Sequence, residues 1–85
     1  MRDLVFKQIA WEDYLYWQTQ DKKTLKRINR LLHDINRSEY EGLGNPEPLK
    51  HDLSGWWSRR IDEMNRLVYR IKGDTIEIAH YRDSM

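Results

Sequence analysis

The stretch KKTLKRINRLLHDINR, residues Lys22–Arg37, decides the fold of this 85-residue chain. Apolar residues recur along it at helical spacing with basic residues between them, which predicts a helix that packs one face on a core. Asp21 precedes this helix as a suitable N-cap. The apolar positions are Leu25, Ile28, Leu31, Leu32 and Ile35.

The residues before this helix predict a strand and a second helix. Leu4–Phe6 reads as a short strand, and Trp11–Gln20 reads as a helix with a broad, aromatic-rich apolar face. We expect most of that face to lie in the core, with an exposed edge for a partner. The link at Gln20–Lys22 is short, so the two helices are predicted to form an antiparallel hairpin.

The residues after the helix predict a loop and then a sheet. Ser38–Pro48 contains two glycines and two prolines, which resist regular structure. Apolar and polar residues then alternate in three runs separated by turn signals, which predicts an antiparallel meander. The runs are Trp57–Asp62, Arg66–Ile71 and Thr75–Ala79. The order β-α-α-β-β-β predicts a single α+β domain over residues 1–85, with the helical hairpin packed on one face of a twisted antiparallel sheet.

The composition excludes several classes of function. The chain has no cysteine, which excludes disulfides, thiolate catalysis and cysteine-based zinc sites and fits a reducing cytoplasm. No signal peptide or membrane span is evident. The three histidines are scattered without ligand spacing, so we expect no metal and no other cofactor. Net charge is only +1, but Lys22–Arg37 carries six Lys and Arg residues against one acid. That basic face is either a solvated surface or a surface for nucleic acid.

A second stretch, NPEPLKHDLSGWWSRRIDEMNR at Asn45–Arg66, carries the chemistry. It places Glu47 between two prolines, which hold the backbone on both sides and so position the carboxylate. A positioned carboxylate near several cations can cut RNA through the RNA's own 2′-hydroxyl: the base removes a proton and the cations stabilise the phosphate. Glu47 is therefore the candidate base. The alternative is that this segment is an ordinary surface turn.

The candidate phosphate-binding cations are arginines of the predicted strands. Arg66 and Arg60 can present a planar fork to phosphate oxygens. Arg59 is a further candidate, but adjacent strand residues point to opposite faces, so at most one of Arg59 and Arg60 shares the site of Arg66. The alternation favours Arg60, because Arg59 has the parity of the apolar Trp57. Any of these arginines can instead be solvated or paired with a carboxylate.

Three segments of the chain resemble one family. WEDYLYWQTQDKKTLKRIN, GLGNPEPLKHDLSGWWSRRI and NRLVYRI resemble the YoeB/Txe toxins, in the RelE-like superfamily of bacterial toxin–antitoxin systems. The resemblance implies a ribosome-dependent messenger-RNA endonuclease that cuts messages in the A site and stops translation. It implies a YefM-type antitoxin as partner, contact with the ribosome, and a homodimer. The implied fold is the one that the periodicities predict.

The resemblance also implies roles for individual residues. Glu47 matches the family's general base and Arg66 the arginine that stabilises the phosphate, while Lys50 and Arg60 match supporting cations. The basic helix gains a role in meeting ribosomal RNA.

The chain departs from the family pattern at two places. The family usually ends in His-Tyr, with the histidine as general acid, whereas the sequence here reads Asp83, Ser84, Met85. A further family carboxylate falls at Met64, one residue after Glu63.

These departures leave the general acid open. Ser84 and His51 are the candidates, and His80 has the apolar parity of its strand, which indicates a core residue. The alternative function is therefore a catalytically weakened member that acts as an antitoxin- or ribosome-binding regulatory protein.

Overall fold

The computed structural model describes residues 2–80, with His80 described by its backbone alone. Two helices pack on one face of a five-stranded sheet, so the predicted α+β architecture is confirmed. No helix in this part of the chain combines the length and apolar character needed to cross a membrane. The elements are β1 (Asp3–Phe6), α1 (Gln8–Gln20), α2 (Lys22–Arg37), β2 (Glu47–Pro48), a 3₁₀ turn (His51–Leu53), β3 (Trp57–Arg60), β4 (Arg66–Lys72) and β5 (Thr75–His80).

The helix α2 has the structure that its sequence predicts. The Asp21 carboxylate accepts hydrogen bonds from the backbone N–H groups of Lys23 and Thr24 and so caps the helix. The apolar stripe of α2 meets the inner face of the sheet. The core that results contains Ala10, Ile28, Leu31, Leu32, Ile35, Ile61, Leu67, Tyr69, Ile76 and Ile78.

The helix α1 differs from the prediction in its start and in its burial. It begins at Gln8, three residues before the predicted start. It packs inwards through Ala10 and Asp13, while Trp11 and Leu15 stay more than 40 % exposed. Tyr14 and Trp17 do pack against the core, so the prediction of a largely buried aromatic face is confirmed for part of that face and wrong for the rest. The small Ala10 lets the helix approach the sheet closely, and the aromatic side chains flank that contact.

The sheet is mixed, with strand order β1-β5-β4-β3-β2. The antiparallel pairing predicted for the C-terminal strands is confirmed, whereas β1 joins the far edge in parallel with β5. The predicted loop ends early, because Glu47 and Pro48 form β2 opposite Ser58 and Trp57. β2 is an edge strand, where a proline that cannot donate to a neighbouring strand is tolerated.

A β-bulge changes the register at the end of β5. Ile78 lies opposite Tyr69, but His80 lies opposite Val68, so Ala79 is the extra residue. A bulge of this kind interrupts the simple alternation of a strand. The alternation of faces that was used to assign His80 to the core therefore does not continue through Ala79. The backbone of His80 lies opposite Val68, which in turn lies opposite Ser58.

Candidate functional site

The candidate site lies on the face of the sheet that the helices leave open. Directly paired residues share a face, so the register forms rows across the strands. One row joins Glu47, Ser58 and Val68, and the next pairs Arg60 with Arg66. The fold thus brings the predicted base and both favoured arginines onto one surface.

Glu47 is held from two directions. The Asn45 side-chain amide donates to Glu47 Oε1 at 3.2 Å, and Arg66 Nη1 lies 3.5 Å from Glu47 Oε2. The same Arg66 nitrogen lies 3.4 Å from Ser58 Oγ. The side chains of Glu47 and Arg66 are 50 % and 45 % exposed, so a ligand can reach both. The predicted pairing of a base with a phosphate-binding cation is thus present in space.

The backbone around Glu47 is strained on both sides. Asn45 has φ 53° and His51 has φ 59°, and these are the non-glycine residues with positive φ among residues 2–80. Left-handed backbone at such residues costs of order 1–3 kcal/mol and is often found at functional sites. These two residues bracket the segment that carries Glu47 and Lys50, so the backbone turns sharply where the chain enters this segment and where it leaves.

Arg60 adds positive charge beside this pair, and Lys50 follows Glu47 closely along the chain. Arg60 is exposed and lies directly opposite Arg66, an arrangement of like charges that is unfavourable in itself and that the Glu47 carboxylate beside Arg66 offsets in part. Among the described residues, the ion pairs do not include Arg60 or Lys50. Lys50 is exposed and lies three residues after Glu47. The open face therefore has cations available for a phosphate.

Arg59 does not belong to this surface, and its assignment as an RNA-binding cation is corrected. Its side chain is fully buried on the helical side of the sheet. Its Nη1 donates to Asp34 at 2.6 Å, and its Nε donates to the Tyr69 hydroxyl at 3.2 Å. Its remaining donors reach backbone carbonyls of the loop after α2, those of Ser38, Glu39, Glu41 and Leu43. Arg59 is a structural residue that ties this loop to the sheet.

The loop tied down by Arg59 leads directly to Glu47. At its end Gly44 has φ 85°, and an added Cβ would lie 2.9 Å from Leu31 Cδ2 and 3.1 Å from Arg59 Cβ. The Gly44 carbonyl accepts from the Arg60 backbone N–H at 2.7 Å. Sequence reasoning missed this role of Gly44. Asp34 is the one acid in the basic helix, and this was a sequence signal for a buried contact near the loop. Its carboxylate accepts hydrogen bonds from Arg59 and from the Leu43 backbone N–H.

The remaining predicted residues are not joined to the pair. In residues 2–80, no hydrogen bond or ion pair connects the exposed His51 to Glu47 or Arg66. Ser84 lies outside the described residues. Glu63 and Met64 are exposed in the bend between β3 and β4, where strand alternation does not govern their direction. The described residues contain no cluster of three or more His, Cys, Asp or Glu side chains that could hold a metal.

The basic face of α2 forms a separate groove. It has a volume of about 490 Å³ and lies in the helical layer, on the other side of the sheet from Glu47. A surface of this charge attracts polyanions. Its lining residues are Lys26, Asn29, Arg30, His33, Asp34, Arg37 and Leu43.

Comparison with known proteins decides the family. A family model described as YoeB-like toxin of bacterial type II toxin-antitoxin system matches residues 6–84. The chain belongs to this family. Toxin YoeB of Escherichia coli K12 is 53 % identical over 79 residues, which cover 93 % of this chain and 94 % of that protein. Toxin YoeB of Streptomyces coelicolor is 52 % identical over the same length.

Solved structures of YoeB-like toxins have the same fold. A YoeB dimer from Staphylococcus aureus matches with TM-score 0.93 and 44 % identity, covering 99 % of this chain and 98 % of that one. The toxin in a heterotetrameric YoeB-YefM complex from the same organism also has TM-score 0.93, at 43 % identity, and covers 100 % of this chain and 99 % of that one. YafQ of E. coli, 17 % identical with TM-score 0.74, shares the fold.

Proposed function

We propose that this YoeB-like toxin is a ribosome-dependent endoribonuclease that cuts messenger RNA in the ribosomal A site and so inhibits translation. Membership of the toxin family supports the proposal. The observation that carries it is the Glu47–Arg66 pair, 3.5 Å apart and about half exposed, on an open face that also carries Arg60.

In the proposed reaction Glu47 takes the proton of a 2′-hydroxyl group, and the 2′-oxygen attacks the adjacent phosphorus. The bond between phosphorus and the 5′-oxygen breaks, and that oxygen takes a proton from water or from the ribosome. The products are a 2′,3′-cyclic phosphate and a 5′-hydroxyl end. Arg66, supported by Arg60 and Lys50, stabilises the charge that gathers on the nonbridging oxygens. A base and fixed cations supply what this reaction requires, so the proposal includes no cofactor.

The proposed partners follow from the solved relatives and from the charge of the protein. The S. aureus toxin is described in a complex with YefM and as a dimer. We propose a YefM-type antitoxin and a homodimer for this chain as well. The ribosome is the proposed site of action, with the basic groove on α2 against ribosomal RNA, and the cytoplasm is the proposed location.

The test is cleavage on ribosomes programmed with a defined message, with the cut sites mapped by primer extension. We expect the protein to cut in the A-site codon. Glu47→Gln should lower the rate by about 10²–10⁴-fold, because it removes the general base while keeping the shape of the side chain. Glu41→Gln is the matched control, since Glu41 is an exposed carboxylate of the loop that leads to β2, and it should cut like the wild type. Equal rates for both variants would remove the assignment of Glu47. Antitoxin binding without any cleavage by the wild type would identify a regulatory binding protein instead.

A further inference from the structure

A tryptophan covered by cations lies beside the candidate site. Trp56 immediately precedes β3 and is two residues before Ser58, so both lie on the open face. The guanidinium carbon of Arg70 lies 4.5 Å from a Trp56 ring centroid, and Lys7 Nζ lies 5.7 Å from one. The backbone of Trp56 is fixed on both sides, because its carbonyl accepts from Leu49 and its N–H donates to Leu53.

The core does not account for this tryptophan. Its neighbour Trp57 faces the helices and packs against the hydrophobic core, whereas Trp56 is neither in the core nor packed against it. Trp56 is half-buried, and cationic side chains contact its ring. Trp56 and the Arg70 guanidinium over its ring are both partly exposed, so together they form a surface of the open face on which a planar ligand can stack.

Arg70 is held in place over this ring. Its Nε donates to the Glu77 carboxylate across the β4–β5 ladder. The hydrogen bond from Arg70 lowers the pKa of Glu77 below its ordinary value, which shows that the pairing favours the charged carboxylate. Glu77 offsets one positive charge, and the cluster of Lys7, Arg70 and Glu77 retains a net charge of one positive unit. The hydrogen bond to Glu77 thereby holds the Arg70 guanidinium beside the Trp56 ring.

We propose that Trp56, Arg70 and Lys7 form a base-stacking subsite that positions the nucleotide next to the scissile bond. This inference rests on the proposed function. Unpaired bases stack on aromatic rings and on guanidinium planes, and nearby cations hold the backbone phosphate. Same-face residues two apart on a strand are separated by about 7 Å. Trp56 therefore lies one such step from the row of Glu47 and Ser58, within reach of an adjoining nucleotide. In catalytic terms Trp56 is a positioning residue, because it orients the RNA that Glu47 and Arg66 act on.

The test combines a change in the protein with a change in the RNA. Single-turnover cleavage on programmed ribosomes is measured with an unmodified message and with messages that carry one abasic nucleotide beside the cut. Trp56→Ala should slow cleavage of the unmodified message by about 5- to 150-fold, the range expected for one stacked base. Trp56→Phe, which keeps a stacking surface, should restore most of the rate. On the message that is abasic at the stacked position, wild type and Trp56→Ala should cut at the same reduced rate.

The control variant and the remaining outcomes separate this subsite from the proposed function. Tyr16→Ala removes an exposed aromatic side chain from the helical layer and should leave cleavage unchanged. If Trp56→Ala proves unstable in urea titrations, the wild-type protein on the abasic series and Trp56→Phe still decide the question. Two results would overturn the subsite alone. In the first, no abasic position slows cleavage by the wild type. In the second, Trp56→Ala slows cleavage by the same factor on every message. If Trp56→Ala cuts at the full rate but is no longer neutralised by the antitoxin, the surface binds the antitoxin, and the base-stacking subsite is also overturned. A wild-type protein that cuts no message would overturn both proposals.

Discussion

Replacing Arg59 by methionine should destabilise the fold more than any change on the open face. The guanidinium is fully buried and donates to six oxygen acceptors, those of Asp34, Tyr69 and four loop carbonyls. Methionine keeps much of the volume but leaves the carboxylate and the carbonyls without this donor. Removing one partner of a buried ion pair costs about 3–5 kcal/mol. An 85-residue domain has a total stability of roughly 4–13 kcal/mol, so this loss is a large part of the whole.

The measurement is urea unfolding followed by tryptophan fluorescence at one fixed protein concentration. With a slope of about 1–3 kcal/mol per molar urea, the expected midpoint shift is at least about 1 M. Arg60→Met is a matched control on the adjacent residue of the same strand. Arg60 is exposed, so this change should stay within about 0.5 kcal/mol. A loss below about 1 kcal/mol for Arg59→Met, similar to that of Arg60→Met, would refute the structural role of Arg59.

Three further predictions concern the loop, the helix cap and acid stability. Gly44→Ala should lower the free energy of unfolding in urea by about 2 kcal/mol or more, since its Cβ meets packed atoms at positive φ. Gly73→Ala, whose Cβ points into open space, should lower it by about 1 kcal/mol. Equal losses would contradict the contribution of packing at Gly44. Asp21→Ala should lower helicity and the melting temperature, whereas Asp21→Asn keeps a capping oxygen and should not, and calorimetry distinguishes the two. The Leu43 backbone N–H, and then the Arg59 guanidinium, hold the pKa of Asp34 below its ordinary value of 3.8. The stabilisation from its ionised form is therefore present above about pH 4 and lost as the pH falls through the lower folded pKa. Asp34→Asn should flatten the acid side of the stability curve, and an unchanged slope would count against this role.

The sequence predicts the helices and the faces of the strands because both depend on local periodicity. The stripe of α2, the cap at Asp21 and the opposite directions of Arg59 and Arg60 all follow from residues within a few positions of each other. The same alternation places Arg60 and Arg66 on one face, as the register confirms.

What the sequence does not predict depends on contacts between distant segments. The β-bulge at Ala79 changes the register of His80, and no local signal marks it. Pro48 favours a prediction of loop for the segment that forms β2, although a proline in an edge strand costs little stability. A buried arginine is rarely predicted from composition, and the acceptors of Arg59 come from Asp34, from Tyr69 and from a loop 16 to 21 residues away.

A message with a single 2′-deoxynucleotide on the 5′ side of the expected cut tests whether the 2′-hydroxyl is the nucleophile. In the proposed reaction the 2′-hydroxyl attacks, with Glu47 as its base. Cleavage on programmed ribosomes should therefore disappear at that position for the wild type, and the all-ribose message should yield a 2′,3′-cyclic phosphate with a 5′-hydroxyl end. Continued cutting at the deoxynucleotide, or a 5′-phosphate end, would contradict attack by the 2′-hydroxyl.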